Sequence, residues 1–191
     1  VSSSTARWIG ANALGQAAAL TASGLLGHFA GSFGELPLAV SIAGLVAAGL
    51  LEGALLGAAQ AWALRMDRAR GRRWVGLTVG AFAVWWTLGV LASLVEPPAP
   101  SRLTVVLVAL VAGGALGLFV GALQGRARPR GLRAAWLGAN VAGWAAGLLL
   151  AALAAELVPW GPFTGMTLLI GAVGGMATGA LVGTVTAPWR P

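Results

Sequence analysis

Six long apolar stretches, separated by short segments that hold most of the charge, limit what this chain can fold into more than any other feature. They lie near residues 8–30, 37–64, 74–95, 103–123, 134–155 and 163–187. A helix that crosses a bilayer needs about 20 mostly apolar residues, and these six with their connections use up nearly all of the 191 residues. Charged residues make up only 9% of the chain and its mean hydropathy is +0.86, whereas about a quarter of an ordinary soluble domain is charged. The expectation is an all-α integral membrane protein, one membrane domain over residues 1–191 with six transmembrane helices. A separate soluble catalytic domain has no room.

The charge sits asymmetrically. All twelve basic residues are Arg. Arg65, Arg68, Arg70, Arg72 and Arg73 crowd the second connection, Arg126, Arg128, Arg130 and Arg133 the fourth, and Arg7 and Arg190 flank the ends. Only Arg102 falls on the other side. Basic loops stay in the cytoplasm, so both termini are expected there. With the basic residues confined to loops, no continuous basic face remains for nucleic acid. The absence of Cys removes disulfides, thiolate nucleophiles and Cys-based metal sites. Arg7 ahead of the first apolar stretch would suit a signal peptide, but no convincing A-x-A cleavage site follows. That stretch also begins as the third and fifth do, so it reads as a retained helix.

The odd helices open with Trp8-x-Gly10-x-Asn12, Trp74-x-Gly76-x-Thr78 and Trp136-x-Gly138-x-Asn140. The even helices carry Gly49, Gly53, Gly57, Gln60, then Gly113, Gly117, Gly121, Gln124, then Gly175, Gly179, Gly183, Thr186. Markers that recur in one order describe an internal repeat: three tandem two-helix hairpins, approximately 7–70, 71–131 and 132–191. Each unit has an even number of helices, so successive units enter the membrane alike and can surround a pseudo-threefold axis. Gly at every fourth position smooths one helix face and lets a neighbouring backbone approach closely. On that ground the even helices are expected to form the inner contacts, with the odd helices outside.

Gly-x-x-x-Gly-x-x-Gln closing an even helix, an Arg-rich turn, and Trp-x-Gly-x-Asn opening the next helix resemble a group of small, Gly- and Trp-rich multi-pass proteins of cyanobacteria, Chloroflexi and other bacteria. Residues 57–76, GAAQAWALRMDRARGRRWVG, carry the likeness most clearly. The third unit departs from it, with Thr186 in place of Gln60 and Gln124. The group has no known function, so the resemblance implies architecture and a multi-pass place in a bacterial inner membrane, and no activity.

Few residues could carry chemistry. Glu52 lies roughly 20 Å from the Arg-rich end of its helix, where a carboxylate costs about 2.5–3.5 kcal/mol on insertion scales. It reads either as a proton or cation relay or as a hydrogen-bonded packing group, with Thr21, Ser23 or Thr178 as partners at similar depth. Asn12, Gln60, Thr78, Gln124, Asn140 and Thr186 form one polar layer, a clamp between helices or a headgroup site. Glu35, Glu96 and Glu156 form an outer acidic set that could gather cations or simply mark the water interface. His28 lacks the companions of a closed metal set, and no metal site is expected.

Trp8, Trp62, Trp74, Trp136 and Trp189 at one interface and Trp160 at the other read as an aromatic belt. Trp85, Trp86 and Trp144 lie deeper, where they could pack or face a lipid, quinone or pigment. No nucleophile triad, phosphate loop or H-E-x-x-H motif is present. The chain reads as a structural or accessory membrane subunit, not an enzyme, with membrane lipids and a membrane protein partner or further copies of itself around it. A small channel or transporter using Glu52 is the alternative, and a binder of lipid, quinone or pigment the third reading.

Overall fold

A computed structural model describes residues 2–32, 38–93, 101–155 and 165–190. Every regular element among them is helical: α1 (Ser3–Ser32), α2 (Leu38–Ala63), α3 (Arg68–Ser93), α4 (Arg102–Gly125), α5 (Arg133–Ala155) and α6 (Gly165–Thr186). One-turn 3-10 segments at Arg130–Leu132 and Ala187–Trp189 precede α5 and follow α6. Among the described residues, four helical stretches are long and apolar enough to cross a membrane: Ile42–Ala63, Arg102–Gly125, Arg130–Leu153 and Leu168–Trp189. Helix α3 opens with Arg68, Arg70, Arg72 and Arg73, and α1 carries Arg7, Asn12 and Gln16, which dilute their apolar character.

The turn between α2 and α3 follows from its sequence. Met66 N–H reaches back to the Ala61 carbonyl (3.1 Å) and Arg65 N–H to that of Trp62 (3.0 Å), the paired bonds that close a helix when the next residue is left-handed. Arg65 is that residue, at φ 51°, a conformation that favours Gly. Two residues on, the Asp67 carboxylate accepts from Arg70 N–H (2.9 Å) and caps the start of α3. At α4, Ser101 does the same for Thr104 N–H (3.1 Å).

Each helix packs on its neighbours in sequence, and α6 returns against α1, so the six form a closed ring. The glycine stripes do not gather the even helices at the centre. They turn sideways. Gly49, Gly53 and Gly57 of α2 meet Trp86, Val79 and Val75 of α3; Gly113, Gly117 and Gly121 of α4 meet α5; Gly175, Gly179 and Gly183 of α6 meet α1. A Cβ on Gly53 would stand 2.7 Å from Val79 Cα, on Gly117 2.6 Å from Val141 Cα, and on Gly175 2.7 Å from the Gln16 carbonyl oxygen. These are backbone obstacles, so only Gly permits the approach. The expected inner triangle of even helices is therefore corrected: each stripe joins an even helix to the following odd one, and the last stripe closes the ring.

The interior is lined from both kinds of helix. Spacings of four put Trp8, Asn12 and Gln16 on one face of α1, Trp74, Thr78 and Phe82 on α3, and Trp136, Asn140 and Trp144 on α5. Facing them, beside the glycine stripes, stand Glu52, Leu56 and Gln60, then Leu116, Val120 and Gln124, then Thr178, Val182 and Thr186, all buried. Leu56, Phe82, Leu116, Val120, Trp144 and Val182 form one continuous apolar cluster.

Candidate functional site

At the Arg-rich end, the three repeated Trp residues turn inward. Trp8, Trp74 and Trp136 are each 1% exposed, with ring centres 6.2 Å apart for Trp8 and Trp136 and 6.0 Å for Trp74 and Trp136. Their assignment to an interfacial belt is thus corrected: a ring of inward-facing helices gives its first residues a buried face. Trp62, 68% exposed, and Trp189, 41% exposed, do stand outward.

One turn deeper lies the predicted polar layer, and the six side chains are all buried. Gln60 is its hub: its Nε2 donates to Asn12 Oδ1 (2.9 Å), while its Oε1 accepts from Trp74 Nε1 (3.0 Å) and Gln124 Nε2 (2.9 Å). Gln124 Nε2 also donates to Thr78 Oγ1 (2.9 Å). Trp8 Nε1 donates to Thr186 Oγ1 (3.0 Å), the counterpart of Trp74 and Gln60. Asn12, Thr78 and Asn140 each donate to the carbonyl of the Trp four residues before them. The third indole differs, since Trp136 Nε1 and Gln124 Oε1 have no partner among the described residues. The layer ties α1, α2, α3 and α4 together, and α1 to α6, and leaves little polar capacity for a headgroup.

Deeper still, the repeat breaks. Glu52 is 4% exposed and both its oxygens accept: Oε1 from Gln16 Nε2 (2.7 Å), Oε2 from Trp86 Nε1 (2.9 Å). Its partners come from α1 and α3, not Thr21 or Thr178; the Thr178 hydroxyl donates to the Gly147 carbonyl (3.1 Å). Gln16 and Trp86 as Glu52 partners were missed, although Gln16 lies on the Trp8–Asn12 face at the same spacing. The Gln16 Oε1 has no partner among the described residues. An amide can turn over, donating to a carboxylate or accepting from a carboxylic acid, so this pair accommodates Glu52 with or without a proton.

Trp144 packs edge-on against Phe82, ring centres 5.6 Å apart, and Trp86 is committed to Glu52. Trp85, half-buried, packs against the interior apolar cluster. The outer acidic set Glu35, Glu96 and Glu156 lies outside the described residues, as do Trp160 and the side chains of Ser23 and His28. No group of three metal-ligating side chains occurs among the described residues.

One buried charge was not anticipated. Arg128, in the turn after α4, is 3% exposed; its guanidinium lies 4.1 Å over the Trp136 ring and donates to the Trp189 carbonyl. Burial pushes it down to about 10. Its nearest sequence signal was only its place in a basic loop. Comparison with known protein families, curated proteins and solved structures finds no match for the chain.

Proposed function

We propose that all six helices cross a bacterial inner membrane as three two-helix units around a pseudo-threefold axis, with both termini and the Arg-rich turns in the cytoplasm. In that setting the protein serves as a structural or accessory subunit, joining a larger membrane complex or further copies of itself. The observation that carries this reading is the division between a filled interior and an apolar rim. The Trp cluster, the hydrogen-bonded layer and the apolar cluster occupy the described interior, while Leu103, Leu107 and Val111 of α4 and Leu169 and Val173 of α6 stand exposed outside. A packed interior suits a scaffold, and apolar rims suit lipid or helix partners. The test is gentle extraction from the native membrane followed by mass spectrometry. A stoichiometric protein partner or a homo-oligomer is the expected result; a lone monomer overturns the proposal.

Glu52 favours a second reading, a small channel or transporter. A carboxylate placed in one repeat alone, beside an amide that can turn over, is the kind of group that passes protons within membranes. Proton flux into proteoliposomes that disappears in Glu52→Gln, with folding intact, would establish it.

A further inference from the structure

Among the clefts at the Arg-rich end, two lie at equivalent places in the ring. One, of about 430 Å³, lies at the α2–α3 seam and is lined by Arg7, Trp62, Arg65, Asp67 and Arg68. The other, of about 240 Å³, lies at the α4–α5 seam and is lined by Arg126 and Arg133 together with Gly121 and Gly125. The repeat that matches Gly57 to Gly121 and Trp74 to Trp136 puts Ala61 in the place of Gly125 and Gly71 in that of Arg133, and all four line these clefts. The arrangement is therefore built into two copies of the unit, although the arginines reach it from different positions.

We propose that these seam clefts bind the phosphate groups of anionic phospholipids in the cytoplasmic leaflet. Each brings at least two guanidiniums, whose paired N–H groups match phosphate oxygens. Arg7 is held in place by donating its Nε to the Ala63 carbonyl at 2.7 Å. The one carboxylate at either cleft, Asp67, is taken up by Arg70, as acceptor from its backbone N–H and as ion-pair partner of its Nε at 3.3 Å. Positive charge therefore exceeds negative in both. Both clefts open on the rim of the ring, the first beside the exposed Trp62 and the second beside the exposed Ala122. A lipid headgroup sits at that level, next to an interfacial indole and the ends of apolar helices.

This proposal rests on the membrane orientation proposed above, and the two are tested separately. The full-length protein is placed in nanodiscs of equal phosphatidylcholine and phosphatidylglycerol, exchanged into detergent, and the retained lipids are counted by native mass spectrometry. Wild type is expected to keep phosphatidylglycerol in preference, and R65Q/R68Q/R126Q/R133Q to lose that preference by about tenfold or more. The control R72Q/R130Q, whose residues line neither cleft and which matches in charge each of the double variants R65Q/R68Q and R126Q/R133Q, keeps it. Should the fourfold variant not fold, R65Q/R68Q and R126Q/R133Q are each expected to lose part of the preference. Equal loss in the control, no preference in wild type, or release of the lipid by inorganic phosphate alone overturns the proposal. Orientation is read from Ser3→Cys: labelling by an impermeant maleimide from outside right-side-out vesicles overturns the orientation, while the lipid count still reports on the clefts.

Discussion

Two adjoining layers of the interior obey different rules. In the polar layer near the Arg-rich end the three repeats nearly agree: Asn12, Thr78 and Asn140 face Gln60, Gln124 and Thr186, beneath Trp8, Trp74 and Trp136. One and two turns deeper they part, with Gln16 and Glu52 in the first repeat where the second has Phe82 and Leu116 and the third Trp144 and Thr178. The near-symmetric layer behaves as a joint, since its side chains, Gln124 Oε1 apart, bond to a neighbouring helix or to their own backbone. Among the described residues, the asymmetric layer has a buried polar pair in the first repeat where the second has Phe82 and Leu116, and the candidate residues for the proposed proton transfer lie there.

The largest effect expected from separating the two layers is at the joint. Gln60→Leu removes three hydrogen bonds at once and leaves Trp74 Nε1 and Asn12 buried with fewer partners, a loss of about 3 kcal/mol. Reversible unfolding in mixed micelles measures it. A loss below that of a single hydrogen bond would mean that the layer does not act as a joint.

Next come the seams that both layers share. Gly117→Ala drives a methyl into the α5 backbone at Val141, at a cost of about 2–3 kcal/mol, whereas Gly138→Ala, with nothing within 4 Å, leaves the melting temperature unchanged or slightly raised. Equal melting temperatures for the two variants would contradict the close α4–α5 approach.

The deeper layer gives a cycle. Glu52→Leu alone leaves Gln16 and Trp86 donors unpaired and costs about 2 kcal/mol, while Gln16→Phe with Glu52→Leu installs the second repeat's residues and recovers about half of it. Additive losses would show that the two side chains are not coupled. The smallest effects lie in the α2–α3 turn: Asp67→Ala loses the cap of α3 at a cost of about 1 kcal/mol, and Arg65→Gly relieves the left-handed backbone by a similar amount. Thermal melting of both variants reads the two signs.

Much of this was legible in the residues. Apolar length pointed to six helices, and the described residues hold six α-helices; the recurring Trp, Gly and Gln pointed to three units. Asn12, Gln60, Thr78, Gln124, Asn140 and Thr186, grouped by their positions along the helices, are all buried in the structure. The hub role of Gln60 was not legible, since depth does not say which side chains meet. The Trp residues were misplaced for a related reason. A Trp near a helix end suits an interfacial belt by depth, and only its rotation about the helix axis decides whether it meets lipid or the interior.

The sequence by itself determined where the helices run, how far along its helix each polar group lies and that the pattern of residues repeats, because each of these depends on distance along one chain. The tertiary structure decided which face turns inward: that the glycine stripes join each even helix to the next odd one, that the three Trp residues meet, and that Glu52 is held by Gln16 and Trp86. Those outcomes depend on how the helices rotate and close into a ring, and the positions that settle them lie far apart in the chain.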